Sequence, residues 1–143
     1  MSELSPRLRA VVDALPLRAG MRVLEIGGAP GAAARAVAAI VGPSGYVLVV
    51  DRSAKGIALT EKNCSAEIER GTIGVHRAGV EHLELPRSEP RFDIAFACRV
   101  GVLDGRHPRQ YADALTRLRN ATVPGARLYV DTGAPLNIIE LHP

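Results

Sequence analysis

The chain has 143 residues, 47% of them hydrophobic and 23% charged, which suits one globular domain with a real core and excludes a disordered or fibrous chain. No apolar run reaches the roughly 18 residues that cross a bilayer, and residues 1–15 lack the apolar centre of a secretory signal. The net charge of +3 rests on arginine, Lys55 and Lys62 being the sole lysines; scattered arginines, 3% aromatics and no tryptophan disfavour a nucleic-acid partner, which needs charge blocks and stacking faces.

Along the chain, short β-like runs alternate with helical stretches. Apolar residues at 4, 8, 11, 12 and 15 have helical spacing, and Pro16 and Gly20 end that pattern. Residues 22–26 read as a strand, followed at once by a turn over 27–31 and an Ala/Val/Ile-rich helix over 32–41. Gly42-Pro43-Ser44-Gly45 stops the helix. Residues 46–50 form a second strand, apolar throughout as in a sheet covered on both faces. Ser53 is an N-cap for a helix reaching Asn63. Residues 72–76 and 92–98 supply strands three and four. A helix over 108–120 follows, with apolar residues at 111, 114, 115 and 118. Pro124-Gly125 then leads into strand five at 127–130. Strands alternating with helices predict a parallel, doubly wound α/β domain. Cys64 falls in a helical stretch and Cys98 in a strand. Two cysteines are too few for a disulfide framework, so a reducing cytoplasm is expected.

Chemistry concentrates in Val23-Leu24-Glu25-Ile26-Gly27-Gly28-Ala29-Pro30-Gly31. A strand ends in an acid, a glycine turn follows, and a helix begins. Ligands of such sheets bind beyond the carboxyl ends of the strands. Gly27 and Gly31 permit positive φ and close backbone approach. Asp51 ends the second strand, placed to accept both hydroxyl hydrogens of a ribose. A nicotinamide dinucleotide competes for this reading, but its fingerprint is G-x-G-x-x-G. From Gly27, the third and sixth positions are Ala29 and Ala32, so the spacing rejects it. His76 and His82 have no partner at metal-ligand spacing, and no metal site is expected.

Glu25-Ile26-Gly27-Gly28-Ala29-Pro30-Gly31 resembles the first motif of the class I S-adenosylmethionine-dependent methyltransferases, Asp or Glu, one residue, Gly, three residues, Gly. The likeness continues through Gly42 to Asp51, Phe92 to Phe96 and Val123 to Leu128, covering roughly residues 20–131. It implies that Glu25, Gly27, Gly28, Ala29 and Gly31 hold the methionine end of the cofactor. Asp51 would hold the ribose, and Arg52 would lie beside the adenine. The family's third motif aligns with Ala78 to Glu84, where Gly79 stands in place of an Asp that accepts from the adenine amino group. Val80 and Glu81 are the remaining adenine contacts. Cys98 and Arg99 close fourth-strand positions beside the cofactor. From the residues alone, Cys98, at the end of an apolar strand, reads more as a small core residue than as a nucleophile, and Arg99 faces either the pocket or solvent.

The implied fold is Rossmann-like, with five strands in the order 3-2-1-4-5 and helices on both faces. It divides into an N-terminal helix and linker (1–20), a cofactor-binding core (21–131) and a tail (132–143). Twelve residues after Asp131 are too few for the helix and two strands that complete the family's seven-stranded sheet. Strand five is then an open edge, and the tail's Leu136, Ile138, Ile139 and Leu141 form an apolar strip. Together these predict a homodimer through strand five and the tail. The implied activity is methyl transfer to a small-molecule acceptor, with Asp104 and His107 the candidate general bases. The alternative is a cofactor-binding protein without turnover that serves a partner subunit. No Asn- or Asp-Pro-Pro-aromatic element follows strand four, which argues against methylation of a base's exocyclic amine.

Overall fold

The computed structural model describes residues 4–143; the first three residues of the expected N-terminal segment lie outside them. Among the described residues, six strands form one sheet: β1 (Arg22–Ile26), β2 (Tyr46–Asp51), β3 (Ile73–Arg77), β4 (Ile94–Ala97), β5 (Arg127–Val130) and β6 (Asn137–Glu140). Their order is β3-β2-β1-β4-β5-β6. β1 to β5 run parallel and β6 is antiparallel to β5. The helices are α1 (Pro6–Ala14), α2 (Ala32–Val41), α3 (Ala54–Asn63), α4 (Ser65–Arg70) and α5 (Tyr111–Ala121).

The central strands are β-branched and buried on both sides, as parallel strands under two helical layers must be. Alternation divides them between two cores. Val23, Val47, Val49 and Phe96 face α1 and α2. Leu24, Leu48, Ala95 and Leu128 face α5 and a 3₁₀ turn at Val80–His82. Connections pass to opposite faces between β1 and β4, so the carboxyl ends of these two strands part there and leave a crevice.

Local expectations hold at most boundaries. Ser5 caps α1, its Oγ accepting from Leu8 N–H at 3.2 Å, and Ser53 caps α3 the same way from Gly56 at 3.0 Å. Two details differ. The helix expected over 108–120 begins as a 3₁₀ turn at Pro108–Gln110 and becomes α-helical, as α5, only at Tyr111. α4 follows α3 after a break at Cys64 and ends on Gly71, whose φ of 81° is the left-handed stop that glycine tolerates.

The five-stranded sheet with an open strand five needs correction. The tail turns back at residues 131–136 and pairs with β5 as β6, Leu128 opposite Ile139 and Val130 opposite Asn137. An antiparallel return needs only a short loop, whereas a parallel strand needs a crossover helix. Twelve residues therefore suffice for one more strand. Leu141 is 1% exposed, Arg119 Nε donates to its carbonyl at 2.6 Å, and the hydroxyl of Thr122 meets His142 Nε2 at 2.9 Å. The tail's apolar strip is thus divided: Leu141 enters the core, while Ile138 remains 55% exposed. The open β5 edge, on which the dimer expectation rested, is covered by the chain's own tail.

Candidate active site

The crevice lies above the carboxyl ends of β1, β2 and β4. Ile26 ends β1 beside Val50 and Ala97, and Gly27 N–H donates to Val50 O at 2.7 Å. The turn to α2 is shaped by what no side chain would survive. Gly27 has φ 73°, and a Cβ there would stand 2.7 Å from Val100 Cγ2. A Cβ on Gly28 would stand 2.6 Å from the carboxyl carbon of Glu25. Gly31, φ 102°, opens α2, and its missing Cβ makes room for Cys64 Sγ at 2.6 Å. Gly31 thus serves helix packing, while Gly27 and Gly28 border the crevice.

Two chambers meet at Gly27 and Arg99, which line both. The first, about 310 Å³, lies between the ends of β1, β2 and β4 and is bordered by Asp51, Arg52, Gly79, Val80 and Glu81. The second, about 720 Å³, lies between the glycine turn, α1 and the end of β4. Glu25, Gly28, Ala29 and Cys98 face it, together with Arg7.

Glu25 is 2% exposed, and its Oε1 has no hydrogen-bond partner among the described residues. Burial, with the Asp51 carboxylate adding repulsion, pushes its carboxyl up to about 8. An unpaired buried carboxyl costs stability and is a marker of function. Asp51 is half-buried and shared: Oδ2 accepts from Ala29 N–H at 3.2 Å and Oδ1 from Ser53 N–H at 2.9 Å. It ties the glycine turn to the start of α3 and keeps lone pairs free. Arg52 is exposed beside it, its carbonyl accepting from Arg77 Nε at 3.3 Å. At Gly79, a Cβ would stand 2.7 Å from Glu81 Oε1, and that oxygen too is buried with no hydrogen-bond partner among the described residues. With no side chain at 79, the Glu81 carboxyl occupies that space.

Cys98 is buried, and burial with the nearby Asp131 carboxylate pushes its thiol up to about 12. It is a wall, not a nucleophile. Of the two candidate bases, the structure brings His107 to the first chamber, its ring against Gly101. It keeps Asp104 out. Arg106 Nε donates to both Asp104 oxygens at 2.9 Å, and this pairing holds the carboxyl below its ordinary value, which unsuits it as a base.

Sequence reasoning missed Arg7 and Asp131. Asp131 follows β5 at the sheet's carboxyl end. Its carboxylate accepts from Arg99 N–H at 3.2 and 3.1 Å and from Arg7 Nη1 at 3.0 Å. The C-terminal position of Asp131 was a readable signal. The pairing with Arg7, 124 residues away, was not.

An open α/β sheet with a glycine turn, a buried acid before it and a second acid at the neighbouring strand end defines a nucleoside-cofactor protein of the Rossmann-like class. The comparisons with known proteins narrow this. A family model described as "Methyltransferase domain" matches residues 23–125, and the chain belongs to that family, the class I S-adenosylmethionine-dependent methyltransferases. Protein-L-isoaspartate O-methyltransferase from Methanothrix thermoacetophila is 42% identical over 60 residues, 41% of this chain and 29% of that protein. The ubiquinone/menaquinone biosynthesis C-methyltransferase UbiE of Pseudomonas paraeruginosa is 27% identical over 122 residues, 85% of this chain and 45% of its own length. The chain therefore spans less than half the length of either curated relative. In fold it is similar to a SAM-dependent methyltransferase from Aquifex aeolicus, with a TM-score of 0.71 at 19% identity, covering 92% of this chain and 70% of that one.

Proposed function

We propose that this chain binds S-adenosylmethionine across the two chambers and transfers its methyl group to a small-molecule acceptor. The observation that carries the reading is Glu25: a buried carboxyl with an unpaired oxygen, set under Gly28 where any side chain would collide with it. A ligand ammonium supplies the missing partner. Gly27, Gly28 and Ala29 then border the methionine end, Asp51 accepts from the ribose hydroxyls, and Arg52, Gly79, Val80 and Glu81 border the adenine. Cys98 forms an apolar wall.

The cofactor supplies an electrophilic methyl on a sulfonium. The protein's part is alignment of acceptor and methyl carbon, catalysis by proximity and orientation. Of the titratable groups that border the second chamber, Cys98 keeps its thiol protonated and Glu25 is taken up by the ligand ammonium, so neither serves as a base for the acceptor. An acceptor whose nucleophilic atom is already unprotonated at neutral pH suits such a chamber. A small acceptor is further supported by the aromatics. Phe92, Phe96 and Tyr129 are buried, and Tyr46 and Tyr111 are half-buried, which leaves no exposed ring for base stacking.

Calorimetric titration with S-adenosylhomocysteine and NAD in parallel tests the cofactor. The former is expected to bind and the latter not. Asp51→Ala is expected to weaken S-adenosylhomocysteine by about 1.5–3 kcal/mol, the worth of hydrogen bonds to a charged group. Equal affinity of variant and wild type removes Asp51 from the site.

A further inference from the structure

Asp131 does more than close a surface ion pair. It is the first residue past β5, and its N–H donates to Ala97 O at 3.2 Å, which fixes it beside the last residue of β4. Its side chain is 11% exposed and reaches two segments far apart in the sequence. Oδ2 accepts from Arg7 Nη1 at 3.0 Å. Both carboxylate oxygens accept from the Arg99 N–H, at 3.2 and 3.1 Å. Arg7 lies in the first turn of α1, and Arg99 lies just beyond β4.

Those two segments are walls of the second chamber, which is bordered by residues 5–8 and by Cys98 and Arg99. Packing fixes these walls incompletely. Val11 and Val12 anchor the middle of α1 in the core, while Leu8 in its first turn is only partly buried. Beyond β4, Arg99 has φ 55°, a left-handed conformation strained for a residue with a Cβ. Such strain persists where surrounding contacts impose it, and it gathers at functional sites. Here the Asp131 carboxylate imposes it. An exposed ion pair contributes little to stability, and Arg7 is 42% exposed. What the pair supplies is placement.

Resting on the functional reading above, we propose that Asp131 is a positioning residue of the cofactor site: through Arg7 and the Arg99 amide it sets the first turn of α1 and the end of β4 around the methionine end of S-adenosylmethionine. It acts through these two partners and needs no contact with the cofactor. Placement and charge predict different signs. Acting on the ligand through charge alone, loss of the Asp131 anion and loss of the Arg7 cation would change its affinity in opposite directions. As two halves of one tie, their losses act in the same direction, and losing both adds nothing to losing one.

The test is calorimetric titration of S-adenosylhomocysteine into the full chain and its variants, with the melting of each unliganded protein as the measure of folding. Asp131→Asn removes the ion pair but keeps an acceptor for the Arg99 N–H. It and Arg7→Ala are each expected to weaken binding by about fivefold or more, the lower end of coupling between sites. The double variant is expected to bind no more weakly than the weaker single. Asp131→Ala, which frees the Arg99 N–H as well, is expected to bind more weakly than Asp131→Asn. Arg7→Lys is expected to recover part of the loss, since the pair uses one nitrogen and not the fork. Melting of Arg7→Ala is expected to stay within about 4 °C of the wild type, a split between folding and affinity that a merely structural pair does not produce. Unchanged affinity in Arg7→Ala and Asp131→Asn, effects of opposite sign, or losses that add in the double variant overturn the proposal alone. Failure of S-adenosylhomocysteine to bind the wild type overturns the functional reading and this proposal with it.

Discussion

At the scale of single residues, Glu25 sets the pH behaviour of the molecule. Its carboxyl titrates near 8 in the fold against an ordinary 4.5. Below the lower value it is neutral both folded and unfolded, and no difference arises. Between the two values the unfolded chain gives up its proton while the folded chain keeps it, so stability falls as pH rises and levels off above the higher value. The slope is at most about 1.4 kcal/mol per pH unit. Glu25→Gln cannot ionise, so its advantage over the wild type in urea unfolding is expected to grow from about pH 5 to about pH 8; a constant difference contradicts the assignment. A bound ammonium reverses the preference toward the charged carboxylate. S-adenosylhomocysteine affinity is therefore expected to rise with pH by up to about tenfold per unit below 8, and to lose that slope in Glu25→Gln. Glu25 and Asp51 were legible in the sequence because each sits at a strand end beside a local turn signal. Arg99 was found by position only. Its left-handed backbone depends on Asp131, 32 residues later, and no local pattern encodes that.

At the scale of elements, the strands and most helices followed from period and punctuation. β1 and β2 are continuous apolar runs bounded by glycine turns, and α2 is an unbroken Ala/Val/Ile stretch. β6 was misread as an interface strip, although Thr132-Gly133-Ala134-Pro135 before Ile138 and Ile139 is the turn-then-strand signal of a hairpin. Its competitor was the count of residues needed for a longer family sheet. What fixes β6 is as much its far end as its ladder. Leu141 is buried against the face that α5 covers, and Arg119 of α5 grips its carbonyl. The exposed Arg127–Glu140 pair adds little. Leu141→Ala is expected to cost about 2–4 kcal/mol in chemical denaturation, the range for a buried leucine truncated to alanine, whereas Ile138→Ala, at an exposed position, is expected to stay within about 0.5 kcal/mol.

At the scale of the whole molecule, the sheet order was readable because parallel strands joined by right-handed crossovers leave few topologies open. The arrangement of the edges was not, since it depends on which residues the last segment finds to cover. β5 supplies the answer: Leu128, Tyr129 and Val130 are all buried, and their outward backbone groups pair with β6. A chain ending at Thr132 loses that partner and also uncovers the site where Leu141 packs. It then presents a β-branched and aromatic strand with unpaired N–H and C=O groups, a template for pairing with another copy. In the intact chain the outermost strand is only four residues long, with Asn137 and Glu140 exposed at its ends, a poor template by the same reasoning. Light scattering at tens of micromolar is therefore expected to show the chain ending at Thr132 associating more than the intact chain, with a lower melting temperature. Identical masses and melting for the two would mean that β6 neither protects the β5 edge nor supports the core beneath it.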